Sequence, residues 1–194
     1  LTLDSFINFG DVEITEENFP DAIFRQFVSE NFDKNGDKVI TKDELASIIE
    51  IDASNKGISD LKGIEYFTAL EVLNVGNNKL ASLDVSKLTA LTKLWCENNQ
   101  LTALDVSRNT QLTYLSCGTN QLTGLDVSGN TKLTALVCYN NKLTALDVSK
   151  NTALESLKCD SNQLTELDVS KNADLNYLSC FNNTLTSLDV SSNI

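Results

Sequence analysis

The chain has 194 residues, of which 15 are basic and 27 are acidic, so its net charge is −12, and it contains no histidine. This charge repels phosphate backbones and anionic lipid, which argues against nucleic acid or membrane-surface binding. Without histidine the commonest general base and the Ser-His and Cys-His nucleophile pairs are missing, so we do not expect an enzyme.

Two helices are predicted near the amino terminus. The first follows Pro20, a residue that suits a first helical turn, and carries apolar residues at near-helical spacing. These apolar residues are Phe24, Phe27, Val28 and Phe32. The second helix begins in "TKDELASII", where Thr41 and Glu44 match a capping box. An apolar helix pair of this kind is suited to cover the first layer of a stacked repeat protein.

The segment "DKNGDKVITKDE" at positions 33–44 resembles an EF-hand calcium loop. The resemblance implies calcium ligands at Asp33, Asn35, Asp37, the Val39 carbonyl, Thr41 and the bidentate Glu44. The family has glycine at the sixth loop position, which is Lys38 here, and a left-handed lysine costs about 1 kcal/mol. Two readings stay open: a calcium ion that makes the helix pair rigid, or a metal-free turn rich in Asp and Asn.

The remainder of the chain repeats with a period of 21 residues, which divides positions 70–194 into six units, the last one truncated. A column is defined here as the positions that recur at this period, and leucine fills four columns in every unit. In the "LxC" and "LDV" segments apolar residues alternate with polar ones, which predicts two short strand-like pieces in each unit. Because one coil cannot bury its own leucines, successive coils are expected to stack in register.

The motif LxxLxCxxNxL resembles the leucine-rich-repeat signature, and the second half, LxxLDVSxN, resembles the 21-residue bacterial class called IRREKO repeats. The resemblance implies an α/β leucine-rich-repeat solenoid of parallel, β-rich coils with a short helical cap at the amino terminus. The expected parts are the cap with its EF-hand-like loop (1–47), a degenerate first coil (48–69) and the six repeats (70–194). Because the sequence starts without methionine and stops in mid-pattern, we expect a piece of a longer chain with further repeats or a second cap.

Two columns are predicted to serve structure. The resemblance implies that one of them turns inward and bonds the bending backbone: Asn78, Asn99, Asn120, Asn141, Asn162 and Asn183. The other contains Cys96, Cys117, Cys138, Cys159 and Cys180. Stacked coils hold Cβ atoms ~4.8 Å apart, whereas a disulfide prefers ~3.8 Å, and Val75 fills this column in the first unit. We therefore expect free, buried thiols without a catalytic role.

Six aspartates form an outward column: Asp84, Asp105, Asp126, Asp147, Asp168 and Asp189. Neighbouring carboxylates would lie about 5 Å apart, a separation that retaining glycosidases use. An acid–base pair needs surroundings that push its two pKa values apart, and six equivalent positions offer no such asymmetry. A structural ladder is expected, with adventitious cation binding as the alternative.

The outward positions of the first half of each unit differ widely from coil to coil, whereas those of the second half are nearly invariant. Structural requirements act alike on every coil, so this divergence indicates a specialised face, with unselected drift as the alternative. The face holds the single Trp and three of the four Tyr, and exposed aromatics are typical anchors of binding sites. The predicted partner-binding residues are Lys93, Trp95, Tyr114, Tyr139, Lys158, Tyr177 and Phe181.

These features predict a non-enzymatic recognition module that binds a protein partner, with carbohydrate binding by the exposed aromatics as the alternative function. Neither nucleic acid nor membrane insertion of this segment is expected, since no apolar stretch approaches ~20 residues. Calcium is the one cofactor that the sequence suggests. The family resemblance implies an extracellular or cell-surface location in a bacterium.

Overall fold

The computed structural model describes residues 9–193. Two short strands, β1 (Val12–Glu13) and β2 (Val39–Ile40), pair antiparallel around helix α1 (Ala22–Phe32), and helix α2 (Lys42–Ser47) follows. A 3-10 turn at Ile64–Tyr66 lies between the first two members of a regular series of strands. This series is β3 (Glu50–Asp52), β4 (Val72–Asn74), β5 (Lys93–Trp95), β6 (Tyr114–Ser116), β7 (Ala135–Val137), β8 (Ser156–Lys158) and β9 (Tyr177–Ser179).

Strands β3 to β9 form one parallel sheet in the order of the sequence. From β4 onward every residue pairs with its counterpart one period later, as Leu94 does with Leu115. The degenerate coil is one residue longer, since Ile51 pairs with Leu73. This register confirms the predicted leucine-rich-repeat solenoid of stacked, parallel β-rich coils.

One continuous hydrophobic cluster extends from Val12 to Leu175 and contains the leucine layers of successive coils. The helical segment joins this cluster through its phenylalanines. The ring centroids of Phe32 and Phe67 lie 5.5 Å apart, and Phe24 and Val28 are fully buried. The helix pair therefore packs on the coil that contains Phe67, as the apolar spacing predicts.

Both predicted helix starts are found, with side-chain caps. The Asp21 carboxylate accepts hydrogen bonds from the backbone N–H groups of Ile23 and Phe24, and it reaches Ser59 of the first coil as well. Thr41 and Glu44 form the capping box, in which each side chain accepts from the backbone N–H of the other residue. Such caps satisfy N–H groups that the first helical turn leaves without partners.

The prediction of a second strand in each unit is wrong. The "LDV" segments make a single isolated bridge, between Asp84 and Asp105, and no ladder within residues 9–193. In each of these segments the aspartate accepts a hydrogen bond from the N–H two residues later, as Asp126 does from Ser128 at 2.9 Å. This local bond closes a turn and competes with strand pairing, so the second half of the coil bends away from the sheet.

Asparagine side chains bond the coils together at two places. In the predicted column, the Asn120 amide donates to the carbonyls of Cys96 and Cys117, while its Oδ1 accepts from the Leu101 N–H, so one side chain ties two coils. A second inward ladder was not anticipated: Asn109, Asn130, Asn151, Asn172 and Asn193. Each of its amides donates to two carbonyls of the preceding coil, which supplies partners that a turning backbone needs.

A left-handed residue recurs once in every coil, just before the asparagine column, with φ between 52° and 58°. Asparagine occupies this place at Asn55, Asn77, Asn98, Asn140 and Asn182. Thr119 and Ser161 are the exceptions. Asparagine tolerates this conformation, whereas a β-branched residue is strained in it. The coil that contains β6 therefore carries backbone strain at Thr119 that the two adjacent coils lack.

We predict that Thr119→Asn raises the free energy of unfolding by about 1 kcal/mol, because it relieves this strain. Urea denaturation followed by circular dichroism measures the effect. Thr131→Asn is the matched control, since Thr131 is exposed and does not have a positive φ, and it should change stability by less than about 0.5 kcal/mol. Equal effects of the two substitutions would show that the strain assignment is wrong.

Candidate partner-binding face

The outward residues of the parallel sheet form a regular grid that we call the strand face. It comprises the first and third residues of strands β4 to β9 and the residue two positions after each strand. Successive residues of one column lie on adjacent strands, ~4.8 Å apart. Successive outward residues of one strand are ~6.6 Å apart. The register places Lys93 beside Tyr114 and Trp95 beside Ser116. The predicted binding residues therefore share one surface.

Trp95 and Tyr114 form an aromatic pair on this face. Their ring centroids lie 4.9 Å apart with an interplanar angle of 33°, and both side chains are half-buried. Lys93 is exposed next to them. Aromatic pairs hold each other in fixed orientations, so this pair offers a preformed apolar patch to a ligand.

A second group of predicted residues lies three strands further along the face. The Lys158 ammonium group lies 5.3 Å from the centroid of the Tyr177 ring, within the range of a cation–π contact. Tyr177 and Phe181 are 50% and 62% exposed on the last strand and the turn after it. The Ser179 hydroxyl donates to Asp160 at 2.8 Å, which orients that carboxylate toward the carboxyl-terminal coil.

In the column that follows the strands, large side chains lie back over glycines of the preceding coil. A methyl group built on Gly118 would lie 2.8 Å from the Tyr139 ring, and one built on Gly76 would lie 2.9 Å from Oε1 of Glu97. Because glycine has no side chain, these positions leave the space that the Tyr139 and Glu97 side chains occupy. In this column Gly76 and Gly118 are each followed one period later by a large residue, and this sequence signal for the packing was missed.

Four small residues at the centre of the strand face are not among the predicted binding residues. Ser116 and Val137 are only 4% and 9% exposed, and Ala135 and Ser156 are half-buried. They fill strands β6, β7 and β8 between the two aromatic groups. We call these four residues the floor, and together with the larger side chains around them the central depression.

The EF-hand-like loop places its acidic side chains against its own backbone. Asp33 accepts from the N–H groups of Gly36 and Lys38, and Asp37 accepts from Val39. Lys38 adopts the left-handed conformation, with φ 66°, at the position where the family has glycine. The chain therefore turns through a lysine in a conformation that is strained for a residue with a side chain.

The fit of this loop to a calcium ion is partial. Within residues 9–193, no three His, Cys, Asp or Glu side chains are grouped closely enough to hold a metal. Glu44, the implied bidentate ligand, is turned toward the Thr41 N–H and hydroxyl at 2.9 Å. This carboxylate would have to leave the capping box to reach an ion in the loop.

The cysteine column is free of disulfides over the described chain, and it is buried apart from the partly exposed Cys180. Burial raises the pKa of the Cys117 and Cys159 thiols to about 12. A thiol must ionise to act as a nucleophile or a metal ligand, so these groups are inert near neutral pH. The column packs the core, as predicted.

The aspartate column is exposed and regular. Hydrogen bonds from the hydroxyl and N–H of Ser128 lower the pKa of Asp126, although the neighbouring Asp147 and Asp105 act in the opposite direction. The same two bonds from Ser149 lower the pKa of Asp147. An open hollow of about 570 Å³ lies against the later members of the column, but its walls repeat from coil to coil. In both cases the serine hydrogen bonds favour the ionised carboxylate.

We predict that the solenoid loses stability in acid. A pKa lowered in the folded state means that the stabilisation is complete above the unfolded-state value of about 3.9 and is lost as the pH falls through the folded-state pKa. Urea unfolding measured from pH 7 to pH 2.5 checks this. Asp126→Asn keeps an acceptor for the Ser128 N–H and should weaken the pH dependence, whereas Thr123→Asn, at an exposed position of the same coil that carries no carboxylate, should not. A pH profile that Asp126→Asn leaves unchanged would contradict the assignment.

Comparison with known proteins supports the architecture. The profile of the family described as Leucine Rich repeats (2 copies) matches residues 68–109, and that described as Leucine Rich repeat matches residues 139–156 and 181–193. Internalin J of Listeria monocytogenes serotype 4b (strain F2365) is 40% identical over 88 residues, which is 45% of this chain and 10% of that protein.

Solved structures agree. The functional domain of InlJ from Listeria monocytogenes, which includes a cysteine ladder, superposes with a TM-score of 0.75 at 40% identity over 95% of this chain and 46% of that one. The Leptospira interrogans leucine-rich-repeat protein LIC12759 gives 0.72 at 29% identity, over 75% of this chain and 40% of that one. The internalin InlF of Listeria monocytogenes gives 0.71 at 25% identity, over 89% and 59%.

The repeat, the fold and these relatives define the class: the chain is a bacterial leucine-rich-repeat protein. Within that class it is related to the internalins. Leucine-rich-repeat domains of the internalin type are typical of protein–protein interaction and generally act as non-enzymatic scaffolds. Internalins are surface or secreted proteins of bacteria, and this chain spans less than two thirds of the length of each of the relatives named here. None of the helices described is long and apolar enough to cross a bilayer.

Proposed function

We propose that the chain is a non-enzymatic recognition module, secreted or displayed on the bacterial surface, that binds a protein partner through the strand face. One observation carries the proposal. Among columns that share one backbone geometry, those of the strand face diverge from coil to coil, and they hold the single Trp and three of the four Tyr. The Trp95–Tyr114 pair supplies the strongest anchor, because paired aromatics at the centre of an interface contribute most of its affinity.

The first test removes this anchor. The double variant Trp95→Ala, Tyr114→Ala should weaken binding at least ~30-fold, since an interface hot spot contributes about 2 kcal/mol or more. Proteins captured on the immobilised chain are identified by mass spectrometry, purified and titrated by surface plasmon resonance. Thr102→Ala, Thr123→Ala is the matched control, because these threonines are exposed on the invariant half of the coil.

Two outcomes decide this test. Unchanged affinity in a folded aromatic variant would refute the strand face as the binding surface. A glycan array run with the same variants distinguishes carbohydrate binding, the alternative function, from protein binding. The array is needed because exposed aromatic side chains also stack on sugar rings. Glycan binding that is lost with Trp95 and Tyr114, together with the absence of any protein partner, would replace the protein proposal with the carbohydrate one.

We also propose that the loop at 33–44 takes a calcium ion that stabilises the helical cap. Support comes from the wrapping of Asp33 by backbone N–H groups and from the left-handed turn at Lys38. Asp33, Asn35, Asp37, the Val39 carbonyl, Thr41 and Glu44 would hold it, and the ion would neutralise the acidic loop. A stabilised cap would in turn protect the first leucine layer, since it belongs to the same hydrophobic cluster.

Calorimetry in calcium against EDTA tests the loop. Calcium at 100 times its Kd should raise the free energy of unfolding by about 2.7 kcal/mol. Glu44→Gln should abolish this gain while the cap survives, because glutamine also forms a capping box. Asp43→Asn, in the same helical turn but outside the implied ligand set, should retain it. An identical unfolding transition in calcium and in EDTA would refute calcium binding.

A further inference from the structure

The central depression is bounded on three sides. Its floor is Ser116, Ala135, Val137 and Ser156. The larger side chains around this floor are Trp95, Tyr114, Tyr139, Lys158 and Tyr177. The Trp95–Tyr114 pair bounds the amino-terminal side, and the Lys158–Tyr177 contact bounds the carboxyl-terminal side. Tyr139 lies over Gly118 and closes the side toward the turns.

The strand register sets the length of the depression. Tyr114 and Tyr177 stand in the same column three strand spacings apart, which is ~14 Å between backbones. The floor is apolar at Val137 and Ala135, and the two serines add only small hydroxyl groups. A leucine, methionine or phenylalanine of a partner would bury apolar surface there at about 25 cal/mol per Å².

The charges around the depression favour acidic residues on either side of the apolar side chain of the partner. Lys93 and Lys158 stand at its two ends, and their ammonium groups form no ion pair with any residue in 9–193. The nearest acidic side chains on the strand face are directed away from it: Glu97 lies back over Gly76, and Asp160 accepts from Ser179 on the far side. The rim therefore offers two unpaired positive charges to a ligand, in a chain whose net charge is −12.

We infer that the central depression binds a peptide segment with one large apolar side chain flanked by acidic residues. The apolar side chain seats on Val137 and Ala135 between the aromatic pairs, and the flanking carboxylates reach Lys93 and Lys158. This inference rests on the proposed function and names the chemistry of the partner that the strand face selects. Charge complementarity at the rim supplies specificity, while the buried apolar anchor supplies most of the affinity.

Selection from a phage-displayed library of random dodecapeptides tests the inference. Peptides are selected on the full chain and are then synthesised and titrated by fluorescence polarisation. Enriched peptides should share a large apolar residue with Asp or Glu within three positions on either side. Val137→Arg should weaken them at least ~10-fold, because the arginine fills the floor.

Matched variants separate the depression from the rest of the sheet. Val72→Arg makes the same change at an outward position of β4 outside the depression, and it should leave affinity within about twofold. Lys93→Gln, Lys158→Gln should weaken binding about three- to fivefold, as expected for exposed ion pairs. Lys142→Gln, on the turns, should have no effect. Circular dichroism checks that each variant folds, and Ala135→Lys replaces Val137→Arg if the latter does not.

The outcomes distinguish this inference from the proposed function. Enriched peptides without acidic residues, or with affinity that survives both floor variants, would overturn the inference. If such peptides still lose binding in the Trp95→Ala, Tyr114→Ala variant, the strand face remains the binding surface with a different ligand chemistry. Failure of that variant to weaken any selected peptide would overturn the proposed function itself.

Discussion

The structure depends on the inability of one coil to bury its own leucines. Each coil of this chain places four leucines, one Val and one Cys (a second Val in the first unit) on a layer that only the next coil can cover, so the coils must stack in register. Where a neighbour is present, Leu167 and Val169 are buried; on the last coil their counterparts Leu188 and Val190 are exposed. Backbone polar groups must follow the same stacking, and the two asparagine ladders supply the bonds that the turns cannot make for themselves.

This stacking also explains why the strand face can be identified from the sequence. The register places equivalent residues of successive repeats side by side. A difference in sequence between two repeats is therefore a difference between two neighbouring side chains on one surface. The invariant half of each coil carries an Asp–Ser turn that bends the chain and presents the same groups at every row. The variable half supplies the sheet, where side chains stand on a rigid backbone. A rigid backbone on which the outward residues can vary allows a specific surface to form without loss of the fold.

Much of the fold could be predicted from the sequence, but less of the site. The period fixed the solenoid, the inward columns, the free thiols and the members of the strand face, since the same substitution pattern is observed many times within one chain. The prediction failed where alternation alone was used: "LDV" alternates like a strand, yet the aspartate bonds the N–H of the following serine and turns the chain. Periodicity reports which side chains face inward, and it does not report which backbone groups pair.

The sequence by itself determined which residues are neighbours, because a 21-residue period in stacked coils leaves a single register that buries every leucine. Only the tertiary structure decided how side chains lean between rows. It turned Tyr139 back over Gly118, drew Lys158 toward Tyr177 and left Ser116 and Val137 as a floor beneath larger neighbours. The direction of a side chain depends on the size of the residues one coil away. It can therefore be inferred only by comparing two neighbouring repeats, and not from the repeat motif alone.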